Sequence, residues 1–408
     1  MKQTARIIST YSADVFGVAS ALFELGGMTI MHDASGCNST YTTHDEPRWY
    51  DMDSMVYISA LSEMEAIMGD DEKLIGDIAA AAAELHPKFI ALAGTPIPAM
   101  TGFDYEAVAE LIEQRTGIPC FGFATTGMNT YVPGVSMALE GIARRFAKRD
   151  VEKTEHLSAN ILGLTPLDFS TNGTDRSIAE FLEKSGFEVI SRWAMGSSLE
   201  ELAEAGRAQV NLVVSSTGLG AAKALKEIFG TPYVVGMPIG SIRENWPEET
   251  SLWSYKELLK ETLLTAVKTG ENRICGQNLL GYSKLSEPVE KDSKIVVIGE
   301  EVTSLSLAQA LEITQGCSVT VLCDTECDHG ILRSKDVAAP DEEELEEALK
   351  GAHMVIADPM YQPICTEVPV FIPLPKEAFS GRLYRKEIPN LVTDLHVITD
   401  KMGTVQPC

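Results

Sequence analysis

The stretch from Met28 to Leu74, MTIMHDASGCNSTYTTHDEPRWYDMDSMVYISALSEMEAIMGDDEKL, decides how this chain is read. Met28–Met31 is a short apolar run of the kind that forms a buried strand. It ends in His32-Asp33-Ala34-Ser35-Gly36-Cys37, a polar turn that sets a thiol at a strand's carboxyl end. That edge is where open α/β sheets bind ligands. Further on come Ser62-Glu63 and then Gly69-Asp70-Asp71-Glu72-Lys73-Leu74, the latter with acids in the first turn of a helix.

Working outward, residues 1–150 alternate strand and helix signals. Ala5–Ser9 reads as a strand, Ala13–Leu25 as a helix and Lys88–Ala93 as a buried strand. Asp104–Thr116 reads as a helix stopped by Gly117, and Cys120–Phe123 as a strand ahead of the helix Val135–Phe146. This is the pattern of a parallel doubly wound unit. Residues 147–156 are charged, lack apolar periodicity and read as a linker. A second unit of the same pattern spans 157–270, with strands Phe187–Ser191 and Val210–Val214 and a long helix Trp253–Thr269. The polar run 271–291 reads as another linker, and Lys294–Ile298 opens a third unit over 292–408. The expected fold is α/β, with three Rossmann-like doubly wound parallel-sheet subdomains.

Composition bounds the function. At 408 residues, with 45% apolar and 23% charged side chains, the chain has ample material for large cores. A net charge of −26 argues against nucleic acid and anionic membrane surfaces, both of which need a basic face. There is no 18-residue apolar run and no signal-peptide pattern at the start, so the expected location is the cytoplasm. The eight cysteines form no C-x-x-C, which argues against a self-contained ferredoxin-type or zinc-ribbon site. Any cluster would draw ligands from distant segments or a second chain.

The strand, the H-x-x-x-G-C turn and the later S-E and G-D-D-E-K-L segments together resemble the component 1 family of nitrogenase, most closely its β-type subunit. The Thr125–Tyr131 loop before its helix, and Asn160–Thr165 followed by Pro166-Leu-Asp-Phe169, are similar to the same family. The resemblance implies that Cys37 ligates an iron–sulfur cluster, [4Fe–4S] or larger, shared at an interface between subunits. It places His32, Asp33 and Gly36 around that cluster. It also implies a separate ATP-dependent iron–sulfur reductase protein as electron donor and a small-molecule substrate. The alternative for Cys37 is a small buried apolar residue. His32, Asp33 and His44 flank Cys37 and could ligate, relay protons or tune the cluster's potential, with turn capping and solvation as the alternative.

The departures are specific. Where the family places two further cluster cysteines, this chain has Ser9–Ser12 and Thr95. One matched ligand instead of three is similar to family heteromers in which the partner supplies the rest, so a homologous component 1-type partner is expected rather than a homodimer. The family's metallocluster cysteine falls at Ser215, which argues against dinitrogen reduction by this chain. The resulting expectation is a nitrogenase-like oxidoreductase subunit in electron transfer. A non-catalytic cofactor-assembly scaffold or a metallocofactor-binding protein on the same fold is the alternative.

Other motifs stand on their own chemistry. Cys317, Cys323 and Cys327 with His329 flank one strand and are a conceivable second metal site. Gly218-Leu-Gly220 before a helix could cradle an anion. Gly299-Glu300-Glu301 puts two carboxylates where a pyrophosphate would lie, and there is no P-loop, which argues against a nicotinamide or ATP site.

Overall fold

The computed structural model describes residues 10–34, 36, 38–39, 41, 45–240, 254–277, 294–328, 330–380 and 388–403. The expected strand Ala5–Ser9 and the residues Cys37, His44, His329 and Cys408 lie outside them.

Three parallel sheets carry the fold. The first is built from β1 (Met28–His32), β2 (Met55–Ile58), β3 (Ile90–Gly94) and β4 (Cys120–Phe123), in the order β2-β1-β3-β4. The second takes β5 (Ser158–Leu162), β6 (Glu188–Arg192), β7 (Val210–Val213), β8 (Tyr233–Val235) and β9 (Arg273–Ile274), in the order β6-β5-β7-β8-β9. The third takes β10 (Lys294–Ile298), β11 (Val319–Cys323), β12 (Val337–Ala338), β13 (Ala352–Ala357) and β14 (Val370–Pro373), in the order β12-β11-β10-β13-β14. Every strand pairing is parallel. The central strands β1, β3, β5 and β7 are buried along their length, because helices cover both faces.

Each sheet has the same plan. Its first strand is central, its second lies to one side, and a later one (the third in the first two sheets, the fourth in the last) lies to the other. The order therefore reverses between β1 and β3, between β5 and β7, and between β10 and β13. Outside the carboxyl ends of strands at such a reversal, the two following loops diverge and leave a crevice. The fold thus fixes three crevices before any side chain is considered.

The expected elements within the described residues form, with instructive differences. β2 and the helix Pro96–Thr101 carry no strong sequence signal: one is a four-residue edge strand that is nowhere fully buried, the other begins on a proline. The start of the run read as the second linker is instead ordered as β9, which pairs with β8 at Val234↔Arg273 and Val235↔Ile274. Two residues are too few for a periodic signal, and only the neighbouring strand makes them a strand. The Gly218-Leu-Gly220 segment is not a cradle. A Cβ on Gly218 would stand 2.6 Å from the Leu162 carbonyl, and the Gly220 amide donates to Ser136 Oγ at 3.1 Å. These glycines serve close packing.

Two seams tie the sheets together. The helices Asp14–Leu22 and Tyr131–Phe146 cross backbone to backbone at Gly17 and Gly134. Further round, Tyr11 Oη donates to Asp324 Oδ2 at 2.6 Å, Tyr361 Oη donates to the same oxygen, and Thr130 Oγ1 donates to Glu326. Those bonds join the first and third sheets through buried phenol and carboxyl groups.

Candidate functional site

The crevice of the first sheet lies between the loops after β1 and β3, the place where the sequence put its candidate residues. His32, the last residue of β1, is buried. Its Nδ1 is 2.9 Å from Ser59 Oγ, and its ring packs on Phe103 at 4.4 Å between centroids. Burial outweighs the nearby Asp33 and Glu65 charges and lowers its pKa from 6.5 to about 4, so the ring is neutral near pH 7. Asp33 is also buried, and its Oδ2 accepts from Asn38 Nδ2 at 2.9 Å, which closes the turn around Gly36. Gly36 is exposed, and a Cβ added to it would meet nothing within 4 Å. Thr95, where the family would have a third cysteine, is buried, and its Oγ1 donates to the His32 carbonyl at 2.8 Å. That position binds the two loops to each other and offers no ligand.

Beside His32 opens a cavity of about 360 Å³, lined by Ser59, Glu65, Lys73, Phe103 and Asp104 among others. Its rim carries a contiguous apolar patch. Met64, Ile67 and Met68 on the helix Glu63–Met68 are 66–70% exposed, and Met100 on the neighbouring helix Pro96–Thr101 is 87% exposed. Side chains of this kind are seldom left together in water unless something covers them. The cavity itself is lined by Glu65, Asp70, Asp71, Asp77 and Asp104, with Lys73 paired to Glu65 at 2.7 Å. Ser62 starts the helix with a reciprocal capping box to Glu65 and Gly69 ends it in the left-handed conformation, so short local signals place the patch.

The neutral state of His32 gives a measurable consequence. In the unfolded chain it titrates near 6.5, in the folded one near 4. The unfolded state therefore binds the extra proton between those values, and the stabilisation present above pH 6.5 is lost as pH falls toward 4. His32→Gln is expected to flatten that part of the profile, by at most about 3 kcal/mol. Urea unfolding at the two pH limits checks it; equal pH slopes in the two proteins would remove the argument for a buried neutral imidazole.

The crevices of the second and third sheets face each other. Asp168, in the turn after β5, accepts from Tyr131 Oη and from Ser215 Oγ at 2.7 Å. Ser215 follows β7 and is itself fully buried, with Thr217 Oγ1 donating to it at 2.9 Å. Burial first, and the neighbouring Glu300 carboxylate second, raise the Asp168 carboxyl to about 7 against the pull of the two hydroxyls. Glu300 follows β10 and caps the helix Glu301–Gln315, accepting from the Val302 and Thr303 amides and, across the seam, from the Ser216 amide at 2.8 Å. A protein carboxylate thus occupies the helix N-terminus that an anion would need. Lys376, after β14, reaches over Gly299, where a Cβ would lie 1.6 Å from its Nζ. The cleft enclosed by Asp168, Ser304, Lys376 and their apolar neighbours has about 50 Å³ of room. That is far below the roughly 300–1,000 Å³ of pockets that take drug-sized ligands.

A large metallocofactor does not fit beside Ser215. The hydroxyl that replaces the family's thiol is tied into the Asp168–Tyr131 network rather than facing a chamber. The chemistry this second place offers is proton exchange near neutral pH. Sequence reasoning missed Asp168 and Lys376; a lone acid inside the apolar Pro166-Leu-Asp-Phe169 was the available signal.

Among the described residues no group of three or more His, Cys, Asp or Glu side chains is placed to hold a metal ion. Cys317 precedes β11 and Cys323 ends it, so the strand holds them roughly 20 Å apart. Cys323 and Cys327 do adjoin each other, with both thiols interacting.

The profile of the nitrogenase component 1 type oxidoreductase family matches residues 14–351. The chain belongs to this family. It is 28% identical over 177 residues to the nitrogenase iron-molybdenum cofactor biosynthesis protein NifE of Clostridium pasteurianum, covering 43% of this chain and 38% of that protein. It is 31% identical over 187 residues to a light-independent protochlorophyllide reductase subunit from Leptolyngbya boryana, covering 43% of this chain and 36% of that one. The matched stretches thus span well under half of either relative. The solved structure of nitrogenase Cp1 at pH 6.5 superposes with a TM-score of 0.67 over 99% of this chain and 94% of that one, at 15% identity. That likeness establishes the component 1 fold for all three sheets. Among the described residues, no helix of this family member is long and apolar enough to cross a membrane.

Proposed function

We propose that this chain is a subunit of a nitrogenase-like reductase, in which the loop after β1 presents Cys37 to an iron–sulfur cluster shared with a homologous, unlike subunit. The observation that carries the reading is the crevice of the first sheet. It combines a turn with open space at Gly36, a neutral His32 on its floor and an uncovered apolar patch beside it. A bound [4Fe–4S] cluster would supply low-potential one-electron transfer there. The chain's own residues do the positioning. Asn38 holds the Asp33 carboxylate, Thr95 holds the His32 carbonyl, and Ser59 fixes the imidazole.

One matched cysteine, with Thr95 and Ser9–Ser12 where two more would stand, supports a partner that provides the other ligands. The acids lining the cavity beside the patch support an unlike partner. A second copy would set acid against acid across an isologous contact. The ATP-dependent reductase protein is the electron donor in this reading, and electrons and protons go to a small molecule. The second cleft, at about 50 Å³, argues against a tetrapyrrole held within this chain alone.

A second reading has its own support. Thr95 and Ser215 carry hydroxyls held in buried hydrogen bonds where thiols would be needed, as suits a non-catalytic cofactor-assembly subunit. The similarity to a cofactor biosynthesis protein favours it.

The test is iron and acid-labile sulfide per chain on anaerobically purified native complex, with and without Cys37→Ser. Native complex with an unlike partner is expected to hold about four irons per pair, and Cys37→Ser to lose most of them. A Cys37→Ser complex with full iron and sulfide would overturn the ligand assignment. Iron present without turnover, given reductant, ATP and the reductase protein, would favour the assembly reading.

A further inference from the structure

A different cavity, of about 420 Å³, lies between the edge of the second sheet and the third unit. Its apolar walls are Leu219, Val235, Ile274 and Ile331, and it runs along β8 and β9. Its size falls in the range of pockets that hold small organic ligands, roughly 300–1,000 Å³. Gln277, whose Nε2 donates to the Ile331 carbonyl at 2.7 Å, closes one side and spans the two units.

Arg273, on β9, is the charged group of this cavity whose bonding is incomplete. Its Nε–H is buried and has no hydrogen-bond partner. The guanidinium's protein acceptors are Glu271 Oε2 at 3.1 Å and Thr269 Oγ1 at 3.5 Å, both at Nη2. The Glu271 side chain is 70% exposed, while that of Arg273 is 17% exposed. A buried guanidinium N–H without an acceptor costs free energy that nothing in the fold returns. Asp328, the other acid at the rim, is paired with Lys223 at 3.1 Å.

We propose that this cavity binds a small organic anion, its carboxylate or phosphate head on Arg273 and its apolar body against Leu219, Val235, Ile274 and Ile331. The head takes Nε–H and Nη2–H together, the side-on bidentate geometry that guanidinium offers to such groups. In doing so it displaces the exposed Glu271 carboxylate from Nη2. The site is separate from the crevice near Cys37 and does not depend on any cluster being bound.

Calorimetric titration of the full chain with phenyl phosphate tests it, with inorganic phosphate and phenol as the head-only and body-only arms, and benzoate to identify the preferred head. Phenyl phosphate or benzoate is expected to bind at one site per chain, with inorganic phosphate about tenfold weaker and phenol without measurable heat. Arg273→Gln is expected to weaken binding at least about tenfold and Arg273→Lys to fall short of arginine, since an ammonium cannot bind side-on. Glu271→Gln removes the competing carboxylate and is expected to tighten binding, a result that a purely structural Arg273 would not give. That variant also decides the matter should the Arg273 variants not fold. Absence of heat with both aryl anions, or affinity unmoved by Glu271→Gln, would overturn the proposal.

Discussion

Gly134→Val is expected to leave little or no folded protein. The helices Asp14–Leu22 and Tyr131–Phe146 approach so closely that a Cβ on Gly134 would stand 1.9 Å from the Asp14 carbonyl oxygen. The clash is with backbone, so no rotamer relieves it. The helix that would have to retreat is buried at all nine of its positions and anchors the first sheet. Asp14 also accepts from the Thr126 and Gly127 amides, so any shift breaks the loop before the second helix as well. Overpacking of this severity exceeds the usual 1–3 kcal/mol and is expected to cost more than about 5 kcal/mol. Soluble yield and thermal unfolding by circular dichroism measure it. Gly76→Ala is the control. It sits within the helix Glu72–Leu85, its Cβ would meet nothing within 4 Å, and it is expected to be neutral or to add up to about 1 kcal/mol. If Gly134→Val melts with the parent protein, the helix crossing is not as described.

Arg48→Leu is expected to cost about 3–5 kcal/mol. Arg48 is buried and forms the centre of a closed network. Its Nε donates to Glu46 Oε1 at 2.7 Å, its Nη1 to Glu24 Oε1 at 2.7 Å and to the Ala194 carbonyl at 3.0 Å, and its Nη2 to the Ser20 carbonyl at 2.7 Å. Glu46 is likewise buried and accepts from Ser20 Oγ at 2.8 Å. Leucine would fill much of the volume but leave the Glu46 carboxylate without a counter-charge, and that uncompensated charge is the larger penalty. The double variant Glu46→Gln, Arg48→Leu is expected to recover part of the loss, because it removes the stranded charge. Urea unfolding of the two singles and the double gives the coupling. Additive losses would show that the two groups do not act as a pair. The network matters to the candidate site because it pins the segment following Cys37 to the first helix and, through Ala194, to the second sheet.

How much was legible depends on what kind of interaction sets each feature. β1, β3, β5, β7 and β10 are apolar runs bounded by turn residues, and burial on both faces makes that pattern strong. The helix starts at Ser62, Asp104, Ser198 and Ser254 follow from side chains that cap their own amides, a signal confined to neighbouring residues. β9 was hidden for the opposite reason: two residues become a strand only because β8 lies beside them. His32, Asp33 and Gly36 were readable because they share one short turn with Cys37. Ser59 and Phe103, which hold His32, were not, because they come from other loops of the same crevice.

The sequence by itself determined the element types, the parallel α/β class and the acidic balance, all of which depend on local order or on composition. Only the tertiary structure decided that the sheets reverse at β1/β3, β5/β7 and β10/β13, that Ser215 is bound to Asp168 rather than open to a chamber, and that Arg273 keeps an unmatched N–H. The physical reason is that desolvation and hydrogen-bond completion belong to groups brought together from distant segments. A carboxyl near pKa 7 at Asp168 arises from burial and from Glu300, a residue far along the chain that no window around Asp168 contains.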